Sequence, residues 1–202
     1  MALYLLLLAY PEPLFCCSAA FGNVTFSAHA PLPREIAGLA SEIQRRLAVS
    51  ELYDPRGRQR IFIVDRPWLW TLLNGPYRQA IARNVELSDA ILVPRLDIAA
   101  REIVHFDGRR AGAVNVLTHE AVHTLVRRRI GRARLWRLQW WQKEGYAEYI
   151  ASVAASGSEA PARYRDAALA WKYLLEQRRL SFDQVLSLND SLSDVLRRNP
   201  ER

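Results

Sequence analysis

Two histidines separated by three residues offer the clearest chemistry in the chain. Residues 118–123 read Thr-His-Glu-Ala-Val-His, which is the pattern His-Glu-x-x-His. On an α-helix, side chains four residues apart lie on one face, so His119 and His123 can converge on one metal ion. Glu120 projects about 100° further around the helix, beside the metal, where it can take a proton from the metal's water. The segment therefore predicts a catalytic zinc site with Glu120 as general base.

The residues around this motif argue against a solvated surface helix. Apolar side chains occupy most sides of the predicted helix: Val114, Leu117, Ala121, Val122, Leu125 and Val126. A helix that is apolar on most sides is buried, and buried histidine and glutamate side chains need polar partners. One metal ion satisfies the two histidines and the glutamate together.

A catalytic zinc ion usually has three protein ligands and one open position. His29, His105 or a carboxylate could supply the third ligand. Glu144 is the best candidate, because it lies 21 residues after His123 on the next predicted helix, which can return antiparallel to the first. Glu148 lies one turn further on the same face, and we expect it to accept the outer N–H of a zinc-bound histidine.

The elements that must position these residues fall into two halves. Alternating or apolar β-rich segments predict strands at 23–28, 60–64, 90–93 and 103–106, with helices at 34–49 and from near residue 67. After Gly112, helical periodicity predicts helices at 113–130, 135–155, 162–178, 182–188 and 192–198, with a loop at 156–161. The predicted fold class is α+β, a small mixed sheet followed by a helical half.

The two motif segments resemble the gluzincin zinc metallopeptidases, a group that includes thermolysin-like and aminopeptidase-like families. His-Glu-x-x-His is followed about twenty residues later by Trp-x-x-Glu-Gly-x-Ala-Glu-Tyr at 141–149, so the similarity covers the 35 residues from 115 to 149. The resemblance implies that His119, His123 and Glu144 bind one Zn²⁺ and that Glu120 is the base. It also implies a zincin-like core, with a sheet packed on the active helix.

In that group the edge strand of the sheet lines the substrate cleft, and an extended peptide adds to it as a further strand. The segments 90–93 and 103–106 are the two candidates for this edge. Larger members of that group have a C-terminal domain with substrate pockets and a tyrosine or histidine that stabilises the oxyanion, and we expect no such domain here. The candidates for that role are Tyr146, Tyr149, Tyr164, Tyr173 and His105.

The leading functional prediction is zinc-dependent hydrolysis of a peptide bond in a peptide or protein substrate by a metal-activated water. The short chain leaves an alternative open: a membrane-tethered, zinc-binding adaptor with little or no catalytic activity. A third interpretation, nucleic-acid binding, depends on the arginine-rich segment 127–137. No nucleic-acid-binding module accompanies that segment, so we expect no nucleic-acid partner.

Composition limits the remaining possibilities. The chain has 202 residues, 50% of them hydrophobic and 24% charged, which excludes a disordered or fibrous protein and predicts one domain over residues 21–202. Its net charge of +7 arises almost entirely from arginine, since Lys143 and Lys172 are the only lysines. Cys16 and Cys17 are adjacent and lack the Cys-x-x-Cys spacing of a thiolate metal site.

The first 20 residues form a separate apolar segment. Residues 1–10 contain no polar or charged side chain except the tyrosine hydroxyls, which is typical of the core of an export signal or membrane anchor whose basic start is missing. Residues 18–20, Ser-Ala-Ala, offer a cleavage position, although Pro11 and Pro13 interrupt the stretch. We expect an exported or membrane-anchored protein of the bacterial cell envelope; a buried N-terminal strand or helix in a cytoplasmic protein is the alternative.

Overall fold

The computed structural model describes residues 2–153 and 162–199. Its strands all precede residue 113, and helices form nearly all of the described chain after that point. The predicted α+β class, with a small sheet followed by a helical half, is therefore confirmed. The predicted loop at 156–161 lies outside the described residues.

A five-stranded mixed sheet forms the β-rich half. Its order is β1 (Cys17–Phe21), β2 (Val24–Ala28), β3 (Gln59–Ile63), β5 (Ala90–Val93) and β4 (Arg83–Val85). The central strands β2, β3 and β5 are parallel, while β1 and β4 run antiparallel to their neighbours at the two edges. Residues 18–20, predicted to offer a cleavage position, lie in β1.

A second, three-stranded antiparallel sheet follows, formed by β6 (Leu96–Asp97), β7 (Glu102–Val104) and β8 (Arg110–Gly112). It leads directly into the helix that contains the His-Glu-x-x-His motif, because β8 ends one residue before that helix begins. The small sheet thus fixes the start of the helix relative to the rest of the fold.

The prediction of the edge strand was wrong. Segment 90–93 is a strand, but it pairs with β3 on one side and β4 on the other, while segment 103–106 contributes to the second sheet. The edge beside the motif helix is β4, which sequence reasoning missed. All four residues of β5 are buried, as expected for an interior strand, whereas the three residues of β4 are too few to show an alternating pattern.

Helices cover both faces of the main sheet. In the first half they are α1 (Ala2–Ala9), α2 (Ile36–Leu47) and α3 (Pro67–Asn74), followed by α4 (Ala113–Arg137), α5 (Trp140–Val153), α6 (Ala162–Lys172), α7 (Phe182–Leu186) and α8 (Leu192–Arg197). Side chains of a strand alternate between faces. Ile61 and Ile63 therefore pack with α2 and α4, while Phe62 packs on the opposite face with α1 and α3.

The boundary between α4 and α5 differs from the prediction of helices at 113–130 and 135–155. Helix α4 extends to Arg137 with an internal break at Gly131, and α5 begins at Trp140. Gly131 has φ +75° and ψ 163°, a conformation that only glycine adopts readily, so one residue interrupts the helix without ending it. Residues 154 and 155 of the second predicted helix lie outside the described residues.

Candidate metal centre

Helix α4 places the two motif histidines on one face, as their spacing predicts. The ring centroids of His119 and His123 are 4.9 Å apart, and the rings are nearly perpendicular, at 79°. Their Nε2 atoms approach to 3.2 Å. Both side chains are mostly buried, so their polar atoms need partners other than bulk water.

Helix α5 brings Glu144 to the same point. Its Oε2 atom lies 3.3 Å from His119 Nε2 and 3.5 Å from His123 Nε2. A tetrahedral zinc ion with bonds of about 2.0–2.1 Å holds its ligand atoms about 3.3–3.4 Å apart, so this triangle has the dimensions of three zinc ligands. Within residues 2–153 and 162–199, these are the three side chains whose donor atoms cluster closely enough to hold a metal ion.

Close packing of α5 against α6 fixes the position of Glu144. A Cβ atom at Gly145 would stand 2.7 Å from the carbonyl oxygen of Ala167 and 2.7 Å from Cδ1 of Trp171, so this helix crossing requires glycine. The indole N–H of Trp171 also points to the carbonyl oxygens of Trp141 and Gln142, at 3.3 and 3.1 Å. The first turn of α5, which precedes Glu144, is therefore held by α6.

Glu148 lies behind His119, as its spacing predicts. Its Oε2 atom is 3.2 Å from His119 Nδ1, the ring nitrogen that faces away from the triangle. Glu148 is only 2% exposed, and its Oε1 atom is buried without a hydrogen-bond partner. A buried carboxylate in this position holds the imidazole in one tautomer, with Nδ1 protonated and Nε2 free to bind a cation.

The electrostatics of the cluster favour positive charge between the side chains. Burial lowers the pKa of His119, but hydrogen bonds to Glu144 and Glu148 and the charge of Glu120 outweigh it and raise that pKa to about 9. Burial raises the pKa of Glu144, and its contacts with the two histidines reverse this and hold the pKa well below its usual range. A divalent cation would gain from the same carboxylates.

Glu120 has a free carboxylate next to the triangle. Its side chain lines the cleft and, among the described residues, makes no hydrogen bond or ion pair. Its backbone carbonyl accepts a hydrogen bond of 3.0 Å from Nδ2 of Asn84, on the edge strand β4. The main chain of Glu120 is thus fixed while its carboxylate remains available to a water or substrate.

Sequence reasoning missed Asn84, which joins β4 to α4. Besides its bond to Glu120, Asn84 Nδ2 lies 2.7 Å from Thr124 Oγ1, and its Oδ1 accepts a hydrogen bond of 2.7 Å from the buried Arg127. Arg127 in turn pairs with Asp89 in the turn between β4 and β5. No pattern in the sequence marks a single asparagine in a short segment, so only the assembled fold reveals this contact.

The histidines and glutamates lie in a cleft of about 1000 Å³. The strand β4 and the two residues after it line one side, together with the α4 residues that include His119, Glu120 and His123. Lys143, Trp136 and Tyr164 also line the cleft. The edge strand therefore borders the same space as the candidate metal ligands.

Of the four tyrosines proposed to contact an oxyanion, the structure brings Tyr164 to the cleft. Its ring lies 5.6 Å from the ring of His119 and stacks on Trp140. The hydroxyl of Tyr173 instead lies 3.5 Å from Nη1 of Arg178, the residue that follows the π-turn after α6.

Tyr146 and Tyr149 point into the protein interior instead. The hydroxyl of Tyr146 is 2.8 Å from that of Ser50, and burial raises its pKa far above the usual value. Tyr149 donates a hydrogen bond to Glu176, and burial, followed by the charge of Glu176, raises its pKa to about 12. These two tyrosines pack the core.

The other two histidines lie away from the triangle. His105 is buried, with Nε2 2.9 Å from the carbonyl oxygen of Arg78 and Nδ1 near Asp107. His29 Nδ1 lies 2.8 Å from a carboxylate oxygen of Asp65. Neither supplies a third ligand to His119 and His123, and His105 does not line the cleft.

The arginine-rich segment 127–137 is largely engaged within the molecule. Arg127 and Arg128 both pair with Asp89. Arg129 pairs with Asp183, and Arg132 donates a hydrogen bond to the carbonyl oxygen of Leu87. Arg134 and Arg137 are exposed. Four of the six arginines in this segment thus have partners within the protein.

Comparisons of the chain with protein-family models, with curated proteins and with solved structures find no match.

Proposed function

We propose that this protein is a zinc-dependent metallopeptidase of the gluzincin type, with a zincin-like core. The observation that supports this most strongly is the triangle of two imidazole nitrogens and one carboxylate oxygen, with sides of 3.2, 3.3 and 3.5 Å, beside a free glutamate in a cleft. The donor set of two histidines and one glutamate is typical of catalytic zinc sites.

His119, His123 and Glu144 hold the zinc ion, and Glu148 orients His119. When bound, zinc acts as a Lewis acid that polarises the scissile carbonyl and lowers the pKa of water. Glu120 removes a proton from the attacking water and then delivers it to the amine that leaves. Its carboxylate suits this role because it makes no hydrogen bond or ion pair among the described residues and interacts with His119 only through its charge.

Strand β4 provides the peptide-binding edge in this proposal. Its outer side pairs with no strand in the described part of the chain, and the edge borders the cleft. An extended peptide can add there through main-chain hydrogen bonds and pass over the candidate metal ligands. Tyr164 is the tyrosine best placed to contact the substrate above His119.

The test is to measure zinc content and peptide hydrolysis in the wild-type protein and in two matched variants. Glu120→Gln should retain about one zinc per chain and lose at least ~10³-fold in turnover of a peptide library. Glu86→Gln is the control, since Glu86 also lines the cleft, where Trp136 Nε1 contacts it at 3.2 Å. It should retain most of the activity.

Two results would contradict the proposal. Hydrolysis by the Glu120→Gln variant at the wild-type rate would exclude Glu120 as the base. A wild-type protein that binds zinc but cleaves no peptide would instead support the alternative of a catalytically inactive zinc-binding adaptor.

A further inference from the structure

More than half of the large apolar side chains that the described residues leave exposed lie on two segments of the chain. One segment is α1 with the residue after it, and the other is α3 with the turn that follows. We call this surface the α1–α3 face; its members are Leu5, Leu6, Tyr10, Trp68, Leu72 and Tyr77.

The two segments are neighbours in the structure. Leu8 of α1 belongs to the same apolar cluster as Leu69 and Leu73 of α3. The hydroxyl of Tyr4 lies 3.7 Å from the position that a Cβ atom on Gly75 would take. The exposed residues therefore form one region of the surface, outside the cluster that joins α1 and α3 to the sheet.

The exposure follows from the sequence of α3. Leu69, Trp70 and Leu73 point inward and are buried, whereas Trp68 and Leu72, four residues apart, share the outward face. Trp68 is 61% exposed and Leu72 42%. Adjacent apolar side chains that are exposed to water mark a surface that a membrane or another molecule covers.

The charges within the two segments are all positive, whereas the flanking carboxylates of Glu12 and Asp65 pair with Arg60 and His29. Residues 2–10 and 66–83 contain no acidic side chain and three arginines. Arg66 and Arg78 are exposed, and their guanidinium groups have no hydrogen-bond or ion-pair partner among the described residues. The guanidinium group of Arg83 lies 4.4 Å from the centre of the Tyr77 ring.

We propose that the α1–α3 face docks on the surface of an anionic lipid bilayer. Tryptophan and tyrosine favour the bilayer interface, leucine side chains enter the acyl boundary, and arginine binds the headgroup phosphates. A second copy of the chain fits less well, since the two segments that form the face contain three arginines and no carboxylate, so two copies offer each other less charge complementarity than an anionic bilayer does.

This face lies next to the cleft. Leu5 and Tyr77 line the cleft as well as contributing to the α1–α3 face. Docking would therefore hold the cleft close to the bilayer surface, where segments of membrane-bound proteins are concentrated. The docking proposal does not depend on the metal centre or on catalysis, so the two can be tested separately.

The experiment is vesicle flotation of the full chain, with neutral phosphatidylcholine vesicles and with vesicles that also contain phosphatidylglycerol. The wild type should float with the anionic vesicles and bind neutral ones more weakly. The double variant Trp68→Glu/Leu72→Glu should lose at least ~tenfold in partition coefficient, because it places two carboxylates on the docking face. Leu169→Glu, at an exposed position of α6, is the matched control and should bind as the wild type.

A second variant separates charge from apolar contact. Arg66→Gln/Arg78→Gln leaves the apolar residues intact and should weaken binding to anionic vesicles ~tenfold or more, with little change for neutral ones. Circular dichroism checks that both double variants are folded; they should be, since all four side chains are exposed.

Three outcomes would overturn the docking proposal. The first is the absence of flotation with anionic vesicles. The second is unchanged flotation of folded Trp68→Glu/Leu72→Glu, which would leave α1 alone responsible. The third is a wild-type dimer in sedimentation that this variant abolishes without any vesicle binding, which would assign the face to self-association.

Discussion

His105 and the pair His119 and His123 are mostly buried in different regions of this molecule, and their ring nitrogens have different partners. Both ring nitrogens of His105 have complementary protein partners: the Arg78 carbonyl lies 2.9 Å from Nε2, and the backbone N–H of Asp107 donates to Nδ1 at 3.3 Å. The Nε2 atoms of His119 and His123 instead face each other and Glu144. Three groups that all offer lone pairs to one point require a cation between them, whereas His105 requires nothing further.

The difference shows that the partners of a buried histidine identify its role better than its burial does. His105 links Arg78 to the turn after β7. These contacts give the ring a structural role. The polar cluster on α4 and α5 is explained only if a proton or a metal ion occupies its centre. Four predictions on metal binding test this contrast, beginning with the largest expected effect.

Removal of one candidate ligand should abolish metal binding. In His123→Ala, zinc content after dialysis against a weak chelator should fall from about one ion per chain to below ~0.1, because a site with two ligands is too weak to compete. Inductively coupled plasma mass spectrometry gives the content. Retention of a full equivalent of zinc would remove His123 from the site.

Loss of the carboxylate behind His119 should have an intermediate effect. Glu148→Gln removes the acceptor charge 3.2 Å from Nδ1, and zinc affinity should fall ~10–100-fold, as for other outer-shell partners of metal-bound histidines. Competition with a fluorescent chelator measures the dissociation constant. Wild-type affinity in this variant would mean that Glu148 serves only the fold.

Metal affinity should rise with pH. The neighbouring carboxylates raise the pKa of His119 to about 9, so a metal ion must displace its proton at neutral pH. The affinity should increase ~tenfold per pH unit towards pH 9. The same protonation stabilises the metal-free fold fully below the ordinary pKa of 6.5, and that contribution is lost as pH rises through about 9.

The check is chelator-buffered titration from pH 6 to 9, together with melting curves of the metal-free protein over the same range. A pH-independent affinity, or a metal-free protein that becomes more stable towards pH 9, would show that His119 is not protonated in this environment.

The smallest effect on metal binding is expected at His105. His105→Ala should leave zinc content and affinity unchanged, because the ring belongs to a separate cluster. It should lower the free energy of unfolding by about 1–3 kcal/mol, since a buried ring and its hydrogen bond to the Arg78 carbonyl are lost, although that carbonyl keeps the indole N–H of Trp70 as a donor. Urea unfolding and metal analysis give the two values; a fall in zinc content would break the distinction between the clusters.

Much of the fold and of the site could be predicted from the sequence because the signals are local. Helical spacing placed His119 and His123 on one face, and the segment 90–93 matches β5 residue for residue. Apolar runs marked the central strands well. The contact between Glu144 and the histidines could be anticipated because a short connection returns α5 alongside α4.

The rest could not be predicted because it depends on contacts between distant segments. The edge strand β4 has three residues and no apolar alternation, so only its pairing with β5 defines it. Asn84 can bond to α4 only because β4 lies beside that helix. The prediction ended the first helix at residue 130, next to the break at Gly131, but it placed the start of the second helix at residue 135, whereas α5 begins at Trp140.

If the proposed peptidase activity is correct, the bond from Asn84 to the main chain of Glu120 determines where a bound peptide is cut. It ties one residue of β4 to the turn of α4 that contains Glu120, the proposed base, and one histidine. A peptide that pairs with β4 would therefore have its register set at a constant distance from the catalytic groups. Cleavage would then occur at a fixed count of residues from the first paired position, whatever the side chains on either side of the broken bond.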